Sequence, residues 1–200
     1  MGLEIKRRTT EAAIRKAIHQ TLIPLVVHGS PSRVLDEMSI CAGDARIDIA
    51  VINGKLHGFE IKSEADTLER LTSQIAAYNR VFDTVTIVCG NKHLDGVKRI
   101  TPVWWGIYLA DTGNEDVELT NVRVGGINQN IDRTSLAQLL WKSELAQILG
   151  DVGLKKGIAQ KPCRELWDLV SAAYSTTTLQ NKVRELLKIR ACWRLDLQQT

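Results

Sequence analysis

The four cysteines of this chain, Cys41, Cys89, Cys163 and Cys192, are widely scattered, and no Cys-x-x-Cys occurs. That excludes a zinc ribbon and argues against a disulfide framework; reduced, mostly buried thiols of a cytoplasmic protein are expected. The sequence has no N-terminal apolar h-region and no apolar run near the ~18 residues a span requires, so neither export nor a membrane partner is expected. A Gly-rich nucleotide loop is missing, as is any Ser/His/Asp arrangement, which removes support for a small-molecule enzyme of either kind. The histidines, His19, His28, His57 and His93, show no metal-ligand spacing. There is no internal repeat and no low-complexity segment.

What is present suits one sizeable domain, or one with a small appendage: 200 residues, 44% apolar and 24% charged. The net charge of +3 is modest but uneven. Residues 1–133 carry 16 basic and 17 acidic side chains, while residues 134–200 carry 10 and 6. A basic surplus in the C-terminal third fits a phosphate-facing surface.

The chain is organised around the stretch from Asp44 to Lys62. Two apolar-rich runs flank Asn53-Gly54, a strong hairpin signal. Three charges sit inside them, Asp48 on the first run and Glu60 and Lys62 on the second. Desolvating a charge costs several kcal/mol unless it is paired or binds a metal, so charges in core strands signal a task. Strand alternation puts Glu60 and Lys62 on one face and Phe59 and Ile61 on the other, with His57 beside them unless Gly58 forms a bulge, and His57 is read as structural. An Asp, a Glu and a Lys on one sheet face can hold a hard cation and steady an attacking water. Register decides whether they meet. A two-residue turn would pair Asp48 with Phe59 and separate the carboxylates, so an odd-length loop or a bulge is required. We expect a three-residue turn to pair Asp48 with Gly58 and a five-residue turn to pair it with Glu60. Gly58 is the expected bulge position.

Along the rest of the chain, Thr9 or Thr10 caps a helix that should end before Pro24. Residues 34–40 read as a short strand or a helix end, and 66–82 as a helix whose apolar residues recur every three or four positions. A buried strand at 84–89, a short helix at 91–100, a strand at 103–110 and an edge strand at 117–124 follow. Trp104 and Trp105 open a core strand and are expected to pack rather than stack on bases. Helical patterns begin at Thr134 or Ser135, at Pro162 and after Thr176. Lys155 and Lys156 lie in a glycine-flanked loop that can contact phosphate, a solvated turn being the other reading. Lys182, Arg184, Lys188, Arg190 and Arg194 add a basic face.

Asp48 followed by Glu60-Ile61-Lys62 resembles the PD-(D/E)XK nuclease superfamily, with Ile47 in place of the leading Pro. Gln74 and Tyr78, four apart on the next helix, resemble the Gln-x-x-x-Tyr motif of its RecB-like and lambda-exonuclease-like members. The order and spacing are also similar to an uncharacterised bacterial family of small nuclease-like proteins named after an Sce locus. The resemblance implies an α/β fold: a restriction-endonuclease-like αβββαβ core with a mixed sheet over residues 1–132, then a helical, basic C-terminal extension over 133–200. It implies a nuclease that uses Mg²⁺ or Mn²⁺ and acts on nucleic acid, with DNA the expected substrate. Asp48, Glu60 and the Ile61 carbonyl would hold the ion, and Lys62 would orient the water. Glu37 would complete the shell, a solvated surface carboxylate being its other reading. Gln74 and Tyr78 would contact the substrate backbone. The alternative is a catalytically silent nuclease-fold protein that binds nucleic acid or a repair or defence partner.

Overall fold

The computed structural model describes residues 9–27, 31–112 and 116–191; His28, Cys192, Trp193 and Arg194 lie outside them. Its centre is a six-stranded mixed sheet with the strands in chain order. These are β1 (Arg33–Ile40), β2 (Ala45–Ile52), β3 (Leu56–Lys62), β4 (Thr84–Gly90), β5 (Gly106–Thr112) and β6 (Val117–Arg123). β1, β2 and β3 form an antiparallel meander, β3, β4 and β5 run parallel, and β6 closes the edge antiparallel to β5. The parallel steps need crossovers, which α3 (Leu71–Tyr78) and α4 (Leu94–Ile100) supply.

One face of the sheet is covered by α1 (Glu11–Ala17), a π-helical segment (Ile18–Leu22) and α2 (Ile23–Val26). Ile14, Ile18, Leu22 and Ile23 pack there on Ile49, Val51, Phe59 and Ile61. Thr10 caps α1 by accepting from the Ala13 N–H. The helix runs through Pro24 instead of stopping before it. Proline removes a donor and crowds the carbonyl four residues back. The π segment widens the helix just upstream, and the Ile23 N–H donates to the Ile18 carbonyl.

The other face carries α3, α5 (Arg133–Ala137), α6 (Lys142–Asp151), α7 (Cys163–Ala173) and α8 (Thr176–Ile189). Leu139, Leu145, Leu166, Leu179 and Leu187 join Ile52, Tyr78, Phe82 and Ile87 in one core cluster. The C-terminal helices are therefore built into the same core as the sheet. Their basic residues hold them there: Arg184 pairs with Asp83 at 2.9 Å, Lys182 with Asp151 at 2.7 Å, and Arg190 with Glu144. Three of the five residues of the expected basic face, Lys182, Arg184 and Arg190, are thus paired with acids within the fold. Trp105 is fully buried and packs as expected, stacked on Tyr78.

Three other boundaries differ from the sequence reading. Asp66 Oδ2 accepts from the Ser63 N–H and hydroxyl, fixing a turn that delays α3 to Leu71. The Trp105 N–H donates to the Pro102 carbonyl in a turn, so β5 begins at Gly106. Asp132, rather than Thr134 or Ser135, caps α5, and the expected single helix is split into α5 and α6.

The hairpin between β2 and β3 has a three-residue loop, with Ile52 opposite Leu56 and Ala50 opposite Gly58. Continuing that register places Asp48 opposite Glu60, so three residues achieve what the sequence reading assigned to five. Gly54 does not take a positive φ. The Asn53 side chain shapes the loop instead, accepting from the Lys55 N–H and donating to the Val26 carbonyl. Gly58 is no bulge: it pairs regularly, and a Cβ there would come within 3.2 Å of the Phe82 ring.

The irregularity falls one strand over. Glu37 has φ +56°, and it is the one residue skipped in the β1–β2 pairing, opposite Asp48. Ile47 and Ala50 face the same core cluster, as do Leu35 and Met38, which strict alternation forbids. Both strands thus skip a step at the level of Glu37 and Asp48, and the row continues across the sheet to Glu60. Among the described residues, no helix is long and apolar enough to cross a membrane. Cys41, Cys89 and Cys163 are free thiols.

Candidate active site

The row Glu37, Asp48, Glu60 opens into a cleft of about 390 Å³. Asp48 stands where the β2–β3 ladder stops, one residue past the Ile49–Phe59 pair. Its Oδ2 accepts from the Ile61 N–H at 2.6 Å, so the side chain takes a donor that ladder carbonyls otherwise satisfy. Burial, reinforced by the charge on Glu60, pushes the Asp48 carboxyl up to about 7, against the help of the Ile61 N–H and Lys62.

Glu60 is 1% exposed and Lys62 6%. Lys62 Nζ donates to Glu60 Oε1, which also accepts from Gln74 Nε2 at 2.6 Å. The Tyr78 hydroxyl lies 2.7 Å from both Glu60 Oε2 and the Arg46 carbonyl, and 3.2 Å from Gln74 Nε2. With one proton, it donates to one oxygen at a time. Burial and the Glu60 charge hold the phenol protonated. Gln74 and Tyr78 thus meet on Glu60, one turn apart on α3, while Gln74 Oε1 is buried and has no partner among the described residues.

Glu37 lies on β1, not at a helix end, and both its oxygens face arginines: Arg15 at 2.6 Å and Arg46 at 2.9 Å. Glu11 and Arg15 escaped the sequence reading, as did Arg46 and Arg70 in the cleft lining. Glu11, in the first turn of α1, places a ligand atom within 4.8 Å of those of Glu37 and Asp48. Arg15, one turn later, reaches into that acidic group. The signal was available in part, since a Thr-capped helix starting with an acid and followed four residues on by an arginine forms a pair on one helix face. Nothing in the sequence indicated that this face meets the edge of β1 and β2.

The cleft is lined by six acids (Glu11, Glu37, Asp44, Asp48, Glu60, Asp66) and three cations (Arg46, Lys62, Arg70). Its ligand atoms near Asp48 are oxygens, and its lining acids outnumber its lining cations six to three. That chemistry fits a hard divalent cation and disfavours a bare phosphate. Lys155 and Lys156 do not line the cleft; both are exposed in the α6–α7 connection, between Gly153 and Gly157, which take φ of +83° and +75°. His57 lies on the opposite face of the sheet with Phe59, as expected, 2.6 Å from the Thr84 hydroxyl.

A model of the family described as Bacteriophage P4 protein cII matches residues 6–193. Protein cII of Enterobacteria phage P4 is 28% identical over 158 residues, covering 79% of this chain and 58% of that protein. The chain therefore spans less than two thirds of its relative's length. A solved structure of a protein of unknown function from Silicibacter pomeroyi is 17% identical, with a TM-score of 0.42 over 78% of this chain and 97% of that one.

Proposed function

The chain belongs to the bacteriophage P4 protein cII family, and we propose that it is a metal-dependent nuclease that hydrolyses phosphodiester bonds, those of DNA foremost. The observation that carries this reading is the convergence of Asp48, Glu60 and Lys62 on one cleft, with the Asp48 carboxylate fixed on the Ile61 N–H. The order helix, three-strand meander, crossover helix, parallel strand supports a restriction-endonuclease-like core.

Asp48, Glu60 and the Ile61 carbonyl would hold one Mg²⁺ or Mn²⁺, with Glu37 reaching it through water because its own oxygens face Arg15 and Arg46. The ion would supply Lewis acidity toward the phosphate and a more acidic water. Lys62 presents an ammonium at the cleft, where it orients a water or offsets charge growing on the phosphate. Gln74 and Tyr78 hold Glu60 in place, a role beside the substrate contact suggested by their motif. Arg46 and Arg70 at the cleft are placed to receive flanking phosphates. Lys155 and Lys156 would act only on substrate that extends beyond the cleft.

One observation favours the silent alternative: Glu60 already accepts from Lys62, Gln74 and Tyr78, a shell that satisfies it without an ion. Cleavage of plasmid and labelled oligonucleotides with Mg²⁺ or Mn²⁺, wild type beside Asp48→Ala, separates the two. Cleavage lost in Asp48→Ala and in chelator supports the nuclease. A folded Asp48→Ala protein with wild-type cleavage refutes this site, and a wild type that binds DNA without cutting it supports the alternative.

A further inference from the structure

Arg15 belongs to no motif, yet its guanidinium serves five groups. Nη2 lies 2.8 Å from Glu11 Oε1, 2.6 Å from Glu37 Oε1 and 3.9 Å from Asp48 Oδ1. Nη1 donates to the Asp48 carbonyl at 2.7 Å and to Asp36 Oδ1 at 3.1 Å. Glu11, Glu37 and Asp48 are also the three acids whose oxygens sit close enough together to hold a metal ion. One nitrogen of Arg15 approaches all three. Many phosphodiester hydrolases use two ions about 3.5–4 Å apart, with a carboxylate shared between them. Here Asp48 is the carboxylate positioned for sharing, with Oδ2 toward Ile61 and Oδ1 toward Arg15.

We propose that Arg15 is a built-in cation, filling the position a second divalent ion would otherwise take, so that this chain works with one ion per site. The proposal rests on the metal-dependent reading above and adds to it the number of ions and the residue that sets that number. The guanidinium is held by both of its terminal nitrogens, one on the backbone of Asp48 itself, so it is fixed relative to the strand that carries the acid. Its side chain is only 20% exposed, and among the three acids solvent screens it least from Asp48, which is 21% exposed. A guanidinium brings charge but no Lewis acidity, and cannot acidify a bound water. Arg15 is therefore a positioning residue: it neutralises Glu11 and Glu37 and orients Asp48. Glu11 serves Arg15 and is not a ligand of the ion.

The test is Mn²⁺ stoichiometry on the full chain, by equilibrium dialysis and by calorimetry. Wild type should bind one ion, Arg15→Gln two, and Arg15→Lys, which keeps the charge, one. Glu11 is exposed and touches Arg15 rather than the ion, so Glu11→Gln should fold and retain one ion, with an affinity loss no greater than the about 10–100-fold that outer-shell partners of a metal site cost. Two ions on wild type overturn the proposal, as does one ion on a folded Arg15→Gln. An affinity loss beyond about 100-fold in Glu11→Gln does so too, even if Arg15→Gln does not fold, because it exceeds what a residue acting only through a ligand's partner costs and would make Glu11 a ligand. No ion on wild type overturns the metal-dependent reading and the proposal with it, whereas one ion on both wild type and Arg15→Gln overturns the proposal alone.

Discussion

Asp48 and Ile61 are joined by a 2.6 Å bond in which a side-chain carboxylate accepts from a strand N–H. The bond forms just beyond the last regular pair of β2 and β3, at the level where β1 and β2 both skip a step. The site thus exists because the sheet is irregular there: a regular ladder would satisfy the Ile61 N–H with a carbonyl and leave Asp48 no fixed partner.

Asp48 should weaken the fold it serves. Its folded pKa of about 7 lies above the ordinary 3.8, so above pH 7 the folded state carries a charge the environment disfavours. As pH falls from 7 toward 3.8, the folded state takes up a proton before the unfolded state does, and stability rises. Asp48→Asn, measured in chelator at pH 8, should therefore be more stable than wild type by about 1–3 kcal/mol, with the difference closing toward pH 4. Added Mg²⁺ should raise the melting temperature of wild type and not of the variant. A variant less stable than wild type at pH 8 would show that Asp48 is structural.

Tyr78→Phe isolates one hydroxyl. The ring contacts, stacked on Trp105 and edge-on to Phe82, are retained, while Glu60 Oε2 loses its donor. Leaving a buried acceptor unsatisfied should cost about 1–3 kcal/mol. Cleavage should fall by about 10–100-fold as Glu60 loses orientation. Thermal unfolding and single-turnover cleavage read the two effects separately, and an unchanged rate would leave the hydroxyl a packing feature.

The strands at 84–89 and around Glu60-Ile61-Lys62 were legible because apolar and β-branched runs mark strands strongly, whereas residues 34–40 read equally as a strand or a helix end. Gln74 and Tyr78 were legible through their spacing. The length of the hairpin loop was not, because Asn53-Gly54 also suits a two-residue turn, and only the Asn53 bonds to Lys55 and Val26 select three. Glu11 and Arg15 were hidden for a related reason. They enter the site through the packing of α1 on β1 and β2, a long-range contact that no local pattern encodes. The partners of Lys182, Arg184 and Arg190 were not legible, because charge is read from sequence before the packing that pairs it is known.

Asp83 tests whether the C-terminal helices are separable from the sheet. It is buried and accepts from the Leu56 N–H at 2.6 Å, Gln180 at 2.7 Å and Arg184 at 2.9 Å, tying the start of β3 to α8. Asp83→Ala leaves the largely buried Arg184 unpaired and should cost about 3–5 kcal/mol in urea unfolding. Residues 1–132 alone should not unfold cooperatively, because their core continues into α5 to α8. A cooperative, stable 1–132 fragment would make the helices an appendage.

His57 gives a pH signature of opposite sign to that of Asp48. Burial, with Lys55 adding repulsion and Asp83 partly offsetting it, pushes its pKa down to about 4 from 6.5. Between those values the unfolded chain binds the proton and the folded chain does not. The contribution is therefore complete above pH 6.5 and is lost as pH falls through 4, at most about 3 kcal/mol in all. Over much of the same range Asp48 adds stability on acidification, so the two slopes oppose each other in wild type. His57→Gln should remove one of them, and its stability should rise more steeply from pH 6.5 to 4 than that of wild type. Asp48→Asn should remove the other and show the steeper acid loss. Each slope is bounded by one proton, about 1.4 kcal/mol per pH unit. Urea unfolding of the three proteins at half-unit pH steps in chelator reads the difference directly. Parallel curves for His57→Gln and wild type would mean that His57 titrates alike in the folded and unfolded chains.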